Sequence, residues 1–550
     1  MLSAKTLKGM SEMKKTGSII LCFFLMILCA APAAAAVGTA GTAYYIDSID
    51  GSDETGDGLS PQTAWKSVPV TACTLNAGDS VLFRRGGEYE CTLTLTGSRG
   101  TASAPIRISA YGEGEKPLLT TGARTEVLRL FDCSFVTVSD LEITAPDGGG
   151  IWIDTLNAAS EGITLSGLSI HNIQNYKVNS RDDLSAGAAR ARACVMVKGL
   201  GARSLWPVNG FTVTDCEFYD CGNGISLWGA LDRPKGDPSR VDEVGPGYNK
   251  NALIKDCYFH DMDAEAVIIG VCDGALMTHC RVIDCCQGEG VDENGEILYF
   301  TAAAWFWGSE NSTIEYCEIA GQKNVGDGMT VDFDSQSNHC TYQYIYSHDN
   351  MRFMVNNAKT SRQTGNTVRY CLSVNDDKGK NVLANGPGET DLRFYNNTIV
   401  GSQVFDMQNI FDSYVVNNIV VVTDGYRLNT SIKPSQYKGS VIGGNCYYNC
   451  TSAANSGAKF NTLPGFSGAD FSDPASFTLS KDSPLIGAGV AVPGDDCTLD
   501  FFGNEIKRNN IGCYGGEGTD APYTREPVFQ RLVRFFRNLY FMIKGLLSAI

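Results

Sequence analysis

Between Gly328 and Asp334 the chain reads Gly-Met-Thr-Val-Asp-Phe-Asp, which sets two acids on either side of one phenylalanine. As a strand with Met329, Val331 and Phe333 on its inner face, the segment turns Thr330, Asp332 and Asp334 outward together. The Cβ atoms of the two acids then stand ~6.6 Å apart, twice the strand rise. Like charges side by side on one β face repel, and a chemical use is one compensation for that cost. Such a pair suits cleavage of a glycosidic bond: one carboxyl protonates the departing oxygen while its partner activates water or attacks carbon. Separations of ~6.5–9.5 Å leave room for water and inversion, ~5 Å suits retention, and side-chain splay spans both. Two other readings stay open, a solvated ledge and a calcium site formed with Asp327.

Neighbouring segments supply partners of matching chemistry. In Ala304-Trp305-Phe306-Trp307-Gly308, an inward Phe306 sends Trp305 and Trp307 outward, and the same register in Ile225-Ser226-Leu227-Trp228 sends Trp228 outward. Indole faces stack on the C–H surfaces of sugar rings; the alternative is that inserted loops bury them as a satellite core. Further along, Phe353 and Val355 read as inward, leaving Arg352, Met354 and Asn356 outward, so Arg352 and Asn356 are candidates to bind hydroxyls or a carboxylate. His348, just before that strand, is placed at the groove edge, and Lys378, Lys380 and Asn385 are outer candidates. A competing chemistry is β-elimination from a uronate, with Lys378, Lys380 or Arg352 as base and calcium held by Asp327, Asp332 and Asp334. A third class is a non-catalytic glycan-binding surface protein, which needs the aromatics but not the acids.

Positioning these residues requires a repeated scaffold, and the sequence carries one. A pattern of apolar, two others, apolar or cysteine, one other, apolar recurs as Val138/Leu141/Ile143, Leu165/Leu168/Ile170, Val213/Cys216/Phe218, Ile254/Cys257/Phe259, Met277/Cys280/Val282, Ile314/Cys317/Ile319, Tyr342/Ile345/Ser347, Val368/Cys371/Ser373, Phe394/Asn397/Ile399 and Val416/Ile419/Val421. Ser347, Ser373 and Asn397 depart from it. Where no insertion intervenes, middle positions recur every 22 to 28 residues, from 397 to 419 at the short end and 317 to 345 at the long end. That period fits one coil of three short strands. Segments rich in β-branched and aromatic residues, broken by Gly, Asn and Asp, exclude a helical solenoid. The expected fold is all-β, a right-handed parallel β-helix with end caps. Longer gaps, such as Leu168 to Cys216 and Cys280 to Cys317, read as loops inserted on one face. Cys216, Cys257, Cys280, Cys317 and Cys371 share one ladder position and read as buried free thiols, because parallel Cβ vectors one coil apart sit at or beyond bridging distance.

The mature chain opens with Tyr45-Ile46-Asp47-Ser48-Ile49-Asp50-Gly51-Ser52-Asp53, followed by Gly58-Leu59-Ser60-Pro61 and Ala64-Trp65, and closes with Asp500-Phe501-Phe502-Gly503-Asn504 and Asn510-Ile511-Gly512-Cys513-Tyr514. These resemble the entry and closing segments of bacterial right-handed parallel β-helix carbohydrate-active proteins, the pectate-lyase-like superfamily. The stretch Gly328–Asp334, with Gln343-Tyr344-Ile345-Tyr346-Ser347-His348-Asp349-Asn350, resembles β-helical glycoside hydrolases of the fucosidase/xylanase type, and more loosely β-helical xylosidases and pectate lyases. The resemblance implies a polysaccharide or oligosaccharide substrate without naming the sugar.

Composition bounds the remaining classes. A formal charge of −17 argues against nucleic acid as a partner, since that binding needs a basic surface. With 43% apolar and 19% charged residues the chain is of the folded, globular kind. Met13-Lys14-Lys15 before an apolar run from Ile19 to Ala30, then small residues through Ala36, reads as a signal peptide over 1–36 and therefore as secretion. The expected organisation continues with an N-terminal cap and first coils over 37–120, the β-helix with its C-terminal cap over 121–515, a linker over 516–526 and a basic amphipathic helix over 527–550. That helix carries Val528, Leu532, Phe535, Phe536, Leu539 and Ile543 on one side and Arg531, Arg534, Arg537 and Lys544 on the other. It is suited to an anionic membrane surface, to packing on the β-helix end, or to self-association.

Overall fold

The computed structural model describes residues 41–523 apart from 69–71, 174–192, 200–205, 230–246, 289–300, 335, 357–362, 377–382, 386–388, 402–409, 424–437 and 450–461. The segments read as a signal peptide and as a C-terminal amphipathic helix, together with Lys378 and Lys380, therefore lie outside the described residues. Among the described residues, three long parallel sheets of 14, 13 and 11 strands carry the coils, with three short sheets of 2, 2 and 3 strands beside them. Each coil gives one strand to each sheet in turn, as in Thr313–Glu315, Glu318–Ala320 and Met329–Asp334, then Thr341–Gln343, Tyr346–His348 and Arg352–Asn356 in the next coil. Every strand pairs in parallel with its equivalents in adjacent coils. This is the expected parallel β-helix, with the right-handed sense that strand-crossover-strand units take.

The corner between the first and second sheets explains the repeat. At each coil one residue takes positive φ and turns the chain before the ladder position: Asp215 (55°), Asp256 (52°), His279 (55°), Tyr316 (49°), Tyr344 (55°), Tyr370 (50°), Asn396 (53°) and Asn417 (58°). Asp and Asn tolerate this left-handed conformation, whereas bulkier residues pay ~1–2 kcal/mol for it. The tyrosines and His279 recover part of that cost by stacking along the axis, His279 on Tyr316 at 5.2 Å and Tyr316 on Tyr344 at 4.6 Å. The following residue points inward, and the five ladder cysteines are buried there as free thiols.

Beyond Cys371 the ladder changes chemistry. Cys371 N–H donates to Asn397 Oδ1 (2.9 Å), Asn397 N–H to Asn418 Oδ1 (3.0 Å) and Asn418 N–H to Asn445 Oδ1 (2.8 Å). The expected last repeat, Val416/Ile419/Val421, is thus shifted by one residue. Register pairs Phe394 with Val415 and Ile399 with Val420, so the true triple is Val415/Asn418/Val420. An apolar pattern slides past a buried asparagine onto the next aliphatic residue, and a shift of one reverses every side chain. Val416, Ile419 and Val421 instead face away from the core. Ile419 and Val421 pack against Phe477, Leu485, Ile511 and Cys513 of the closing segment.

The third sheet departs from strict alternation where each strand begins. Two consecutive residues enter the core, Ala266 with Val267, Ala303 with Ala304, Thr330 with Val331, and Phe353 with Met354. Alternation then resumes. The longest intervals between described strands flank this sheet, from Ile173 to Ala193, Trp228 to Asn249 and Ile283 to Ala304.

The asparagine ladder yields a stability test. In Asn418→Leu the buried Asn397 N–H and one N–H of its side-chain amide lose Asn418 Oδ1 as acceptor (3.0 and 3.1 Å), the amide keeping only Val368 O (3.0 Å). The expected cost is about 2–4 kcal/mol from the two orphaned donors, read as a lower thermal midpoint by circular dichroism. An unchanged midpoint contradicts the ladder's role.

Candidate active site

The doubled inward position fixes what the acidic strand presents. Thr330, expected outward, points into the core, where its hydroxyl meets Ser347 Oγ (2.7 Å) and accepts from Asn350 Nδ2 (2.9 Å). Met329, expected inward, lies instead on the outer side with Ile268, Ala302 and Trp305. Val331 and Phe333 enter the main core, which leaves Asp332 and Asp334 outward as the alternation requires. The same correction applies one coil on, because Met354 is inward and Val355 joins the outer cluster. Asn356 is paired in register with inward Phe333, and its side chain lies outside the described residues.

Strand register sets the neighbours of the two acids. Phe306 pairs with Phe333 and Trp307 with Asp334, so Trp305 stands beside Asp332 from the preceding coil, and Val355 pairs with Asp332 from the next. The second outward row runs Trp228, Gly270, Trp307, Asp334. All three tryptophans gather in one outer cluster, with the rings of Trp228 and Trp307 5.6 Å apart and tilted by 58°. The backbone at Asp332 is also held from within. Tyr342, inside the core, donates its hydroxyl to Ala304 O (2.8 Å) and accepts Asp332 N–H (3.3 Å), standing between the two strands where their direct pairing stops.

Two of these side chains are drier than outward residues of a groove are expected to be. Asp332 is 6% exposed and Trp305 6%, while Asp334, Trp228 and Trp307 are half-buried. Trp305 is accordingly a wall of the site and part of a satellite core, not a free platform. Arg352 lies on the same side, opposite Met329 in register, with Nη2 donating to Gly326 O (3.4 Å). Burial pulls the Arg352 guanidinium below its usual pKa, and the charges of Asp327 and Asp332 oppose that shift. Asp327 is therefore an acid of this site as well, its N–H held by Asn324 Oδ1 (3.0 Å). Sequence reasoning had given it only a calcium role. Trp305 Nε1 and Arg352 Nε are buried donors with no acceptor among the described residues. Buried donors of this kind call for a partner, and the hydroxyl and carbonyl oxygens of a sugar are suitable ones.

Not every outward acid on this sheet is a chemical candidate. Asp154, several coils earlier, accepts Arg129 Nη2 (2.6 Å) and Nε (3.1 Å) on one oxygen and Trp152 Nε1 (2.8 Å) on the other, a saturated structural clamp. His348 also falls outside the site. It lies on the second sheet, where its ring meets Glu318 (3.4 Å) and Asp349 (3.0 Å), because the chain reaches the third sheet only after the corner that follows it. Nor are Asp327, Asp332 and Asp334 gathered like calcium ligands. Among the described residues the one such group is Asp495, Asp496 and Cys497, and there Arg369 already donates to Asp496 (2.7 Å).

Gly270 carries a requirement that the sequence alone did not reveal. A Cβ at this position would lie 2.6 and 2.8 Å from the Trp228 ring, so the missing side chain is what lets that indole lean across the row toward Trp307. Gly270→Val is expected to displace Trp228, giving red-shifted tryptophan emission with an unchanged far-ultraviolet spectrum. Unaltered emission contradicts the seat.

No family model matches this chain. It is 26% identical over 514 residues to a lacto-N-biosidase of Bifidobacterium longum subsp. longum, an alignment covering 76% of this chain and 31% of that protein. The chain thus spans about a third of the length of the curated relative it matches. Among solved structures, a GH136 lacto-N-biosidase from Eubacterium ramulus superposes with a TM-score of 0.51 at 19% identity, covering 76% of this chain and 67% of that one. A complex of XylC with xylose gives 0.50 at 10% identity, over 86% and 98%. These likenesses agree with the three-sheet coil as the shared architecture.

Proposed function

We propose that this chain is a glycoside hydrolase acting on complex oligosaccharides, with Asp332 and Asp334 as its acid pair. The observation that carries the reading is the adjacency of two outward carboxyl groups to three clustered indoles on one sheet face. Sequence similarity to a lacto-N-biosidase over 76% of the chain supports the same class. Asp332, the drier of the two, is assigned as proton donor to the departing glycosidic oxygen. Asp334, which water reaches more readily, is assigned as base or nucleophile. Trp228 and Trp307 supply apolar surface for a sugar ring, and Arg352 and the Trp305 N–H supply donors for its oxygens. The signal-peptide reading of 1–36 supports secretion, which would bring the enzyme to extracellular glycans.

The test is hydrolysis of an aryl lacto-N-bioside and of a panel of plant and host oligosaccharides, following both new reducing ends and the absorbance of unsaturated uronates. Reducing ends alone are expected. Asp332→Asn and Asp334→Asn are each expected to lower kcat by about 10²–10⁴-fold while the fold survives. Unsaturated products would make the protein a lyase, and glycan binding without cleavage would make it a binding protein. Full activity in both variants removes these acids from the chemistry.

A further inference from the structure

Two of the departures from the repeat, Ser347 and Ser373, occupy a ladder that is otherwise apolar. In register along the second sheet they follow Val282 and Ile319 and precede Ile399 and Val420. Both hydroxyls donate to one carboxylate oxygen of Asp376, Ser373 at 2.7 Å. The other oxygen accepts Asn350 N–H (3.1 Å) and Asn350 Nδ2 (2.8 Å). Asn350 Nδ2 also reaches Thr330 Oγ1 (2.9 Å), and Thr330 lies two residues before Asp332 on the acidic strand.

A carboxylate in such a place is costly. Asp376 is 1% exposed, and burial pushes its carboxyl up to about 6 in spite of the donors around it. Well-packed apolar residues usually serve stability as well as a buried polar network, or better. The backbone does not require an acid either: at the opposite corner Asn397, Asn418 and Asn445 accept the same kind of N–H with neutral amides. The inward threonine shares the coil of Asp332 and Asp334, Ser347 that of Arg352, and Ser373 and Asp376 lie in the coil that follows.

We propose that Asp376 is a positioning residue for the acidic site: acting through Asn350 and Thr330, it fixes the strand Met329–Asp334 and so the directions in which Asp332 and Asp334 project. This rests on the hydrolase reading of those two acids. Reacting groups displaced by about 1 Å lose on the order of 10²-fold in rate, so a tether on the rear of the strand has leverage without touching substrate.

The experiment uses the full chain with an aryl lacto-N-bioside as probe. Asp376→Asn keeps the shape but only one acceptor oxygen, so it no longer accepts from the two serines and from Asn350 at once. The variant is expected to keep its thermal midpoint within a few degrees and its KM within about twofold, and to lose roughly tenfold in kcat. Ser373→Ala, which removes a donor to Asp376 (2.7 Å) and leaves Ser347, Asn350 and Thr330 in place, is expected to show the same kcat-specific loss, and it decides the matter if Asp376→Asn does not fold. Folded variants with wild-type kcat overturn the proposal. Asp332→Asn and Asp334→Asn in the same assay separate the two claims. If those are inactive while Asp376→Asn is not, positioning falls and the hydrolase reading stands. If the probe is not cleaved, or those variants stay active, amide hydrogen exchange over residues 328–334 decides the tether: faster exchange in Asp376→Asn supports it, and unchanged exchange refutes it.

Discussion

Everything in this molecule follows from parallel strands stacking in register on their own equivalents at ~4.8 Å. In such a stack a sequence position becomes a row, so whatever one coil places outward is flanked by what its neighbours place outward. Rows of like residues are the cheapest solution, as the buried cysteines and then the asparagines show. Departures from likeness mark the places where a row serves something other than packing.

The third sheet holds the densest set of departures. Its outer rows pass from Ile268 and Gly270 to Trp305 and Trp307, and from there to Asp332 and Asp334, within consecutive coils. A glycine makes room for one indole, a core tyrosine interrupts the strand ladder at the acid, and a buried hydroxyl network stands behind the same strand. Apolar walls, a half-buried carboxyl and donors with no acceptor among the described residues together suit a ligand rich in both C–H surface and oxygen. The asymmetry between a dry and a wetter acid is what two-carboxylate chemistry requires.

Much of this was legible in the sequence because rows repeat and repeats can be counted. The coil, the ladder cysteines, the outward direction of Asp332 and Asp334 and the gathering of three tryptophans all follow from period and alternation. What escaped has a physical reason in each case. Thr330 and Met329, and Met354 with Val355, were reversed because strict alternation does not anticipate two inward residues at a corner. The last repeat slipped because an asparagine that satisfies a buried N–H looks polar and therefore external. His348 was misplaced because the position of a corner, not the distance in sequence, decides which sheet a residue joins. The burial of Asp332 and Trp305, the seat at Gly270 and the tether through Asp376 depend on contacts between coils that no single stretch of sequence displays.

The most direct measurement is a crystal structure of the Asp332→Asn protein with an uncleaved oligosaccharide bound. A sugar ring packed against Trp228 or Trp307, with the glycosidic oxygen ~2.6–3.2 Å from the side chain at position 332 and the anomeric carbon facing Asp334, is the expected result. Oligosaccharide bound on another sheet, or on the third sheet with both positions out of reach of the glycosidic bond, would contradict it.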